Sequence, residues 1–173
     1  MDNISLFFLI FGASNKNDLL DFLMIFGAEY VIYLMIFLIF AFAIKGKMYE
    51  RKSLILFLIS FPILILVIKI IHLFFFQPRP YIENDILPLL DYTKEDASFP
   101  SRHTAISFIM ALPYLYYKSK WAFLLLFLAT WVGISRVYAG VHYPIDIVGG
   151  TIVGVISLII AKQIIYLLRK TVI

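Results

Sequence analysis

The sequence predicts an all-α integral membrane protein, a bundle of about five transmembrane helices with a short interfacial helix at its N-terminus. Of its 173 residues, 62% are apolar and 15% are charged, whereas soluble domains are roughly half apolar and a quarter charged. The mean hydropathy is +0.94. A water-soluble globule of this composition would expose large apolar patches and aggregate, so the folded chain must be solvated by lipid.

The predicted elements follow from the apolar runs, taken in chain order. The segment Ile4–Phe11 is too short to cross a bilayer and is expected to lie in the interface. Five longer runs are predicted to span the membrane, at about residues 22–44, 54–76, 102–118, 121–138 and 145–168. The first two would each form about 35 Å of helix, enough to cross a hydrocarbon core of about 30 Å. No internal repeat or linker divides the chain, so residues 1–173 are expected to form a single membrane-embedded domain.

Basic residues between the runs predict the orientation. Residues 45–53, 118–120 and 169–170 are rich in Lys and Arg and alternate with the five spans, so the positive-inside rule makes them cytosolic. The N-terminus is then outside and the C-terminus inside. The net charge of +4 reflects these basic ends and indicates no nucleic-acid partner. The outer loop, residues 77–101, is acidic on balance and is the expected specificity element, with Glu83, Asp85, Asp91, Glu95 and Asp96.

Unusual polar residues, including all three histidines, fall at or near the predicted outer face. They are Lys69, His72, Arg79, Ser101, Arg102, His103, Ser135, Arg136, His142 and Asp146. Charged groups near hydrocarbon are costly, so they are usually paired, directed to the interior and functional. Arg79, Arg136 and Lys69 around one small volume would repel one another unless they faced an anion. Guanidinium groups match phosphate oxygens in a bidentate manner, so the cluster favours a phosphate ligand.

The start of the third span adds to this anion site. Ser101 is well placed as the N-cap of that helix, which leaves the backbone N–H groups of Arg102 and His103 directed outward. Free N–H groups at a helix N-terminus bind anions. Beside such an anion, two histidines and one carboxylate, His103, His142 and Asp146, supply a nucleophile, a general acid and an orienting base.

With these residues the chain resembles the type 2 phosphatidic acid phosphatase superfamily, integral-membrane lipid phosphatases related to vanadium haloperoxidases. The family pattern is Lys-x6-Arg-Pro, then Pro-Ser-Gly-His, then Ser-Arg-x5-His-x3-Asp. This sequence has Arg79 followed by proline, then PSRH over residues 100–103, then SRVYAGVHYPID over residues 135–146. The resemblance extends from the second to the fifth span.

The sequence departs from the family pattern at two positions. Arg102 stands where the family has glycine, and His72 stands where it has lysine. Lys69 lies three residues before His72, close to the same helix face, and its long side chain could extend outward to replace the missing amine. We favour Lys69 over His72 as the phosphate ligand because its charge is fixed.

The resemblance implies a role for each matching residue. His142 would attack phosphorus, Asp146 would hold the other imidazole nitrogen, and His103 would protonate the leaving oxygen and then activate water. Phosphate would be bound by Arg79, Arg136, Ser101 and Arg102, together with Lys69 or His72. No metal and no other cofactor is implied, because fixed cations neutralise the phosphate charge.

The implied activity is metal-independent hydrolysis of a phosphate monoester or diphosphate from a membrane lipid, through a phosphohistidine, at the periplasmic face of a bacterial inner membrane. The candidate substrates are undecaprenyl diphosphate, lipid A 1-phosphate and phosphatidylglycerophosphate, and the only partners expected are this lipid and the bilayer. Two alternatives remain open from the residues themselves. One is a zinc-dependent membrane hydrolase with His72, His103, His142 and Asp146 as ligands, although the arginines would repel the ion. The other is a non-enzymatic transporter of an anionic lipid, for which no inverted repeat is found.

Overall fold

The structure, a computed structural model, describes residues 2–90 and 97–171, which form eight helices and, within these two ranges, no strand. In chain order the helices are α1 (Asn3–Phe11), α2 (Asp18–Glu29), α3 (Val31–Lys45), α4 (Met48–Phe74), α5 (Pro80–Glu83), α6 (Arg102–Tyr116), α7 (Ala122–Tyr138) and α8 (Pro144–Thr171). The prediction of an all-α membrane bundle is confirmed. The short helix α5, inside the outer loop, had no signal in the apolar pattern.

The helices differ in how they can cross a bilayer. By length and composition α4 and α8 are each sufficient, with 27 residues between Met48 and Phe74 and 27 between Pro144 and Lys170. The first span was predicted as one helix over 22–44 and is broken instead, because α2 and α3 meet at Tyr30 with a bend of 54°. Helix α7 is apolar but has 17 residues. Helix α6 has 15 residues, about 22 Å of helix, which is shorter than a hydrocarbon core.

Local sequence signals set the helix starts that border the site. The side chain of Asn17 caps α2 by accepting from the N–H of Leu20 at 3.0 Å. Ser101 is the N-cap of α6, as predicted, and its Oγ accepts from the N–H of Thr104 at 3.4 Å. Such caps satisfy N–H groups that have no partner within the helix. Helix α8 begins at Pro144, where the absent N–H of proline costs nothing.

The short helix α6 is the centre of the bundle and packs against α3, α4, α7 and α8. Its apolar residues Ala105, Ile109 and Met110 are fully buried in the main core. Gly150 lets α8 approach closely, because a Cβ there would lie 2.7 Å from the carbonyl oxygen of Ser101. Two distant segments, the start of α6 and the start of α8, are therefore held side by side.

Helix α1 packs beside the start of α8. Phe7 is fully buried, with its ring 5.2 Å from that of Tyr143. The side chain of Asn3 accepts a hydrogen bond from the N–H of Ile145 at 3.0 Å and so satisfies one N–H of the first turn of α8. The other side of α1 exposes apolar residues such as Leu9, 65% exposed, which suits contact with lipid.

Candidate active site

The predicted site residues come from four separate parts of the chain, and the fold brings most of them to one end of the bundle. Arg79 precedes α5, Ser101 precedes α6, Arg136 lies in the last turn of α7, and His142 lies in the turn before α8. Each of these four side chains is at most 2% exposed. Buried charges are costly unless they are paired or hydrogen-bonded, so their contacts define what the site can do.

His142 and Asp146 form a buried pair four residues apart. His142 Nδ1 lies 3.2 Å from Asp146 Oδ2. The same carboxylate oxygen accepts from the backbone N–H of Tyr143 at 2.8 Å. The Asp146 carbonyl accepts from the N–H of Ser101 at 3.1 Å, which ties this pair to the start of α6. The carboxylate is thereby fixed in the position that orients the imidazole.

Arg79 determines which nitrogen of His142 carries the proton. Arg79 Nη1 donates to the carbonyl of Val141 at 3.0 Å and lies 3.1 Å from His142 Nε2. A guanidinium can only donate hydrogen bonds, so Nε2 must accept with its lone pair. In the neutral imidazole the proton is then on Nδ1, where it faces Asp146 Oδ2. This tautomer directs the Nε2 lone pair of His142 toward the guanidinium of Arg79.

Ser98 is a member of the site that the sequence reasoning missed. It is fully buried, its Oγ donates to Asp146 Oδ2 at 2.5 Å, and the same Oγ lies 3.3 Å from His142 Nδ1. Its own N–H donates to the carbonyl of Gln77 at 2.8 Å, which anchors it to the opposite end of the outer loop. The only sequence signal was its place two residues before Pro100, within an unremarkable loop.

His103 and Arg102 lie in the first turn of α6 and are both half-buried. His103 follows Ser101 by two residues, and the N–H of Ser101 donates to the carbonyl of Asp146 at 3.1 Å. Arg102 is the first residue of α6 and has ordinary helical backbone, so the glycine of the family pattern is not required by the conformation here. The first turn of α6, which carries the predicted second histidine, therefore lies beside the His142–Asp146 pair.

Arg136 reaches across the bundle to the break in the first span. Its Nη1 donates to the carbonyl of Ala28 at 3.4 Å, in the last turn of α2. The neighbouring Ser135 directs its hydroxyl toward the sulfur of Met24 at 3.4 Å, away from the His142 pair. A side chain that engages a helix carbonyl is a recognised cause of helix breaks. The break after Glu29 thus accompanies the burial of the Arg136 guanidinium.

Lys69 and His72, the two candidate phosphate ligands on α4, differ in burial. The buried face of α4 includes Leu64 and Ile68, and His72 continues it at the next i+4 position, where it is half-buried. Lys69 is exposed, one position round the helix from Ile68. Although the two side chains are only one turn apart, His72 is the more buried of the two and Lys69 is exposed.

Part of the outer loop packs onto the site through Tyr143. Its hydroxyl donates to Glu83 at 2.8 Å and accepts from Asn84 at 2.8 Å. Burial, and next the hydrogen bond to Glu83, raise the pKa of Tyr143 to about 12, so the phenol remains protonated. Of the acidic residues proposed for specificity, Glu83 and Asp85 are described, whereas Asp91, Glu95 and Asp96 lie outside the described residues.

An apolar groove of about 530 Å³ adjoins the cluster. It lies between the end of α4 and the start of α8, and its lining includes Ile71, Phe75, Phe99 and Ile145. Phe99 follows Ser98 directly, and Ile145 precedes Asp146. An alkyl or prenyl chain in this groove would therefore contact residues that directly adjoin Ser98 and Asp146 in the sequence.

Within residues 2–90 and 97–171, no group of three or more His, Asp or Glu side chains is arranged to hold a metal ion. His142 and Asp146, two of the ligands of the zinc alternative, bond to each other. The nearest charged neighbour of His142 is the guanidinium of Arg79, which suits an anion better than a cation.

Comparison with known proteins places the chain among membrane phosphatases. Residues 52–170 match the model of the PAP2 superfamily. The chain is 30% identical over 154 residues to undecaprenyl-diphosphatase BcrC of Bacillus subtilis, covering 89% of this chain and 79% of that protein. The solved structure of Aquifex aeolicus LpxE superimposes with a TM-score of 0.65 at 29% identity, covering 93% and 94% of the two chains. A PAP2-type phosphatidylglycerolphosphate phosphatase from Bacillus subtilis gives a TM-score of 0.60 at 25% identity, covering 93% and 85%.

Proposed function

Since the chain belongs to the PAP2 superfamily and is a lipid phosphatase, we propose that it removes the terminal phosphate of undecaprenyl diphosphate. The observation that carries the proposed chemistry is the 3.1 Å approach of Arg79 Nη1 to His142 Nε2 beside Asp146. In such a pair, Arg79 donates hydrogen bonds to the phosphoryl oxygens, and the Nε2 lone pair of His142 attacks the phosphorus. The choice of substrate follows the relative named undecaprenyl-diphosphatase, which matches this chain over most of both lengths.

In the first step, His142 Nε2 attacks the terminal phosphorus. The bond between that phosphorus and the bridging oxygen breaks, and the electron pair leaves with undecaprenyl phosphate. His103 donates its proton to the departing oxygen. The positive charges of Arg79 and Arg136 disfavour protonation of His103. When the diphosphate binds, its negative charges compensate for that repulsion. Binding of the substrate therefore favours the imidazolium that this step requires.

In the second step, the phosphohistidine is hydrolysed. His103, now neutral, takes a proton from water, and the water oxygen attacks phosphorus as the bond to His142 Nε2 breaks. Inorganic phosphate leaves, and the proton on His103 is ready for the next cycle. Asp146 and Ser98 keep the Nδ1 proton of His142 in place throughout, so that Nε2 remains the reactive nitrogen.

Fixed cations stabilise the phosphoryl group during both steps. Arg79 and Arg136 are held by the carbonyls of Val141 and Ala28, so little reorganisation is needed when charge develops. The N–H groups at the start of α6 add donors, and His72 is the neighbouring residue of α4 that we assign to the phosphate in preference to Lys69. Arginines perform here the charge neutralisation that a metal ion performs in other phosphatases.

The apolar groove beside Phe99 accounts for a lipid rather than a soluble substrate. We assign it to the first isoprenoid units of undecaprenyl diphosphate, with the remainder of the chain in the bilayer. The orientation follows from charge, because Lys47 and Lys120 lie at the end of the bundle opposite Arg79. By the positive-inside rule that end is cytosolic, so we propose a site that opens to the periplasm of a bacterial inner membrane.

The test is phosphate release by the purified protein in detergent from undecaprenyl diphosphate, lipid A 1-phosphate and phosphatidylglycerophosphate. We expect the highest kcat/KM for undecaprenyl diphosphate, and a loss of at least about 1,000-fold in His142→Ala. His103→Asn should lose activity to a similar extent, because it removes both the acid of the first step and the base of the second. Equal activity in wild type and His142→Ala would disprove the proposed nucleophile.

The zinc-dependent alternative predicts a different response to inhibitors. With fixed cations in the site, we expect full activity after exhaustive treatment with a chelator and inhibition by vanadate, which resembles the transition state of phosphoryl transfer. A loss of activity that is restored by added zinc would favour the metal mechanism. The non-enzymatic transporter receives no support from membership of a phosphatase family.

A further inference from the structure

A second polar pocket lies at the end of the bundle opposite the phosphatase site. It has a volume of about 430 Å³ and is formed where α3 ends, α4 begins and α7 begins. We call it the basal pocket, and its lining includes Phe42, Lys45, Lys47, Glu50, Lys120 and Trp121. None of these residues has a role in the proposed reaction.

The basal pocket contains a buried carboxylate whose hydrogen bonds are incomplete. Glu50 is 2% exposed, and its Oε1 accepts from the hydroxyl of Ser119 at 3.4 Å. Its Oε2 is buried and accepts no hydrogen bond from any described residue. The side chain packs against Gly46, where an added Cβ would lie 2.8 Å from Glu50 Cγ. A buried carboxylate oxygen is costly without a donor, and the strongest donor for it is a cation.

The rim of the pocket carries the opposite charge. Lys45, Lys47 and Lys120 are exposed and line the same space as Glu50. Lys120 Nζ lies 4.8 Å from the centre of the Trp121 ring, which itself stacks on Phe42 with centroids 4.3 Å apart. Aromatic residues with lysines are typical of the level at which lipid headgroups lie. The pocket therefore presents one negative group inside and three positive groups outside, at headgroup depth.

We propose that the basal pocket binds a zwitterionic phospholipid headgroup with a primary ammonium, of the ethanolamine type. A rotation of the Glu50 carboxylate turns Oε2 into the pocket, where the ammonium donates to it, and the phosphodiester lies among the three lysines. A headgroup with only negative charge would meet the carboxylate, and a free metal cation would be repelled by the lysines. A quaternary ammonium has no N–H to donate, so choline headgroups satisfy only the phosphodiester half of the site.

Another pocket on the same face offers a comparison. It has about 490 Å³ and is lined by Lys162, Arg169, Gln163 and three tyrosines, with no carboxylate among its lining residues. Lys162 Nζ lies 4.0 Å from the centre of the Tyr116 ring. A lysine variant in this second pocket alters the charge of the same membrane face while leaving Glu50 untouched, and so serves as the matched control.

The experiment measures bound lipid on the full-length protein by native mass spectrometry. Detergent-solubilised protein is mixed with phosphatidylethanolamine, phosphatidylcholine or phosphatidylglycerol of identical acyl chains. We expect wild type to retain the ethanolamine lipid about tenfold more than the choline lipid, as one charge-assisted hydrogen bond allows. Glu50→Gln should abolish that preference while retaining phosphatidylglycerol, and Lys162→Gln should preserve the preference. Lys120→Gln should weaken retention of all three lipids.

Two outcomes would overturn the proposal. If wild type binds the ethanolamine and choline lipids equally, the primary ammonium is not recognised, and this comparison needs no variant to fold. If Glu50→Gln keeps the wild-type preference, the carboxylate serves only the neighbouring lysines. Thermal unfolding of each variant identifies any loss of fold, and Gln can still accept from Ser119. The measurement is independent of phosphatase activity, so it stands apart from the function proposed above.

Discussion

Replacing Ser98 by alanine removes one oxygen atom from the centre of the site, and we expect it to lower kcat by about 10- to 100-fold. Ser98 Oγ donates to Asp146 Oδ2 at 2.5 Å and lies 3.3 Å from His142 Nδ1. Without it, the carboxylate keeps the backbone N–H of Tyr143 and the imidazole of His142 as its donors. Asp146 and His142 can then rotate away from the position that directs Nε2 at phosphorus.

The magnitude follows from the type of hydrogen bond. A hydrogen bond to a charged group contributes about 1.5–3 kcal/mol, and about 1.4 kcal/mol corresponds to a factor of ten in rate. The loss should fall on kcat rather than KM, because Ser98 is fully buried and contacts His142 at Nδ1, not at the proposed reactive nitrogen Nε2. A serine that only filled space would change the stability of the fold and leave kcat near the wild-type value.

Ser157→Ala is the matched control. Ser157 is also fully buried, lies on α8 like Asp146, and donates to the carbonyl of Val153 at 2.8 Å within its own helix. Both variants lose one buried hydroxyl, and thermal unfolding of each identifies any loss of fold. Steady-state phosphate release should separate them, with Ser157→Ala within about twofold of wild type. Equal kcat in the two variants would refute the positioning role of Ser98.

Three further predictions concern the surroundings of the site. His72→Ala should lower kcat/KM by about tenfold and Lys69→Ala by less than about twofold, since His72 is the more buried of the two and Lys69 is exposed; the reverse order would restore Lys69 as the phosphate ligand. Gly150→Ala should cost about 1–3 kcal/mol of stability because a Cβ there meets backbone at 2.7 Å, whereas Gly154→Ala, with its nearest atoms at 3.5 Å, should be tolerated in thermal unfolding. The pKa of Tyr143 is raised to about 12. Its contribution to stability is therefore complete below pH 10 and is lost only as the pH rises through 12. The difference in unfolding free energy between wild type and Tyr143→Phe should be constant from pH 6 to pH 9, and a difference that varies across this range would contradict the assignment.

Short-range features of the site could be predicted from the sequence because they depend on neighbours along the chain. The i,i+4 spacing of His142 and Asp146 gives the observed contact between the two side chains. Ser101 caps α6 and Pro144 begins α8, as their residue types favour. Helical periodicity and apolar composition likewise determined that the bundle is all-helical and lies in a membrane.

Long-range features depended on packing that no local pattern encodes. Ser98 enters the site only because the outer loop returns to the start of α8, and a loop serine carries no signal of that contact. The break at Tyr30 lies within a continuous apolar run, and it accompanies a contact between Arg136 and Ala28, 108 residues apart. His72 and Lys69 have similar sequence positions, so the buried face of α4 had to decide between them.

The sequence by itself determined that the protein lies in lipid, that it is helical, and which reactive side chains it carries. Hydropathy, capping and residue type act over a few residues, so they can be read along the chain. Only the tertiary structure decided which of those groups meet, on which nitrogen His142 carries its proton, and which hydroxyl holds Asp146. The physical reason is that hydrogen bonds act over about 3 Å, whereas the residues that make them lie tens of positions apart until α6 and α8 pack together.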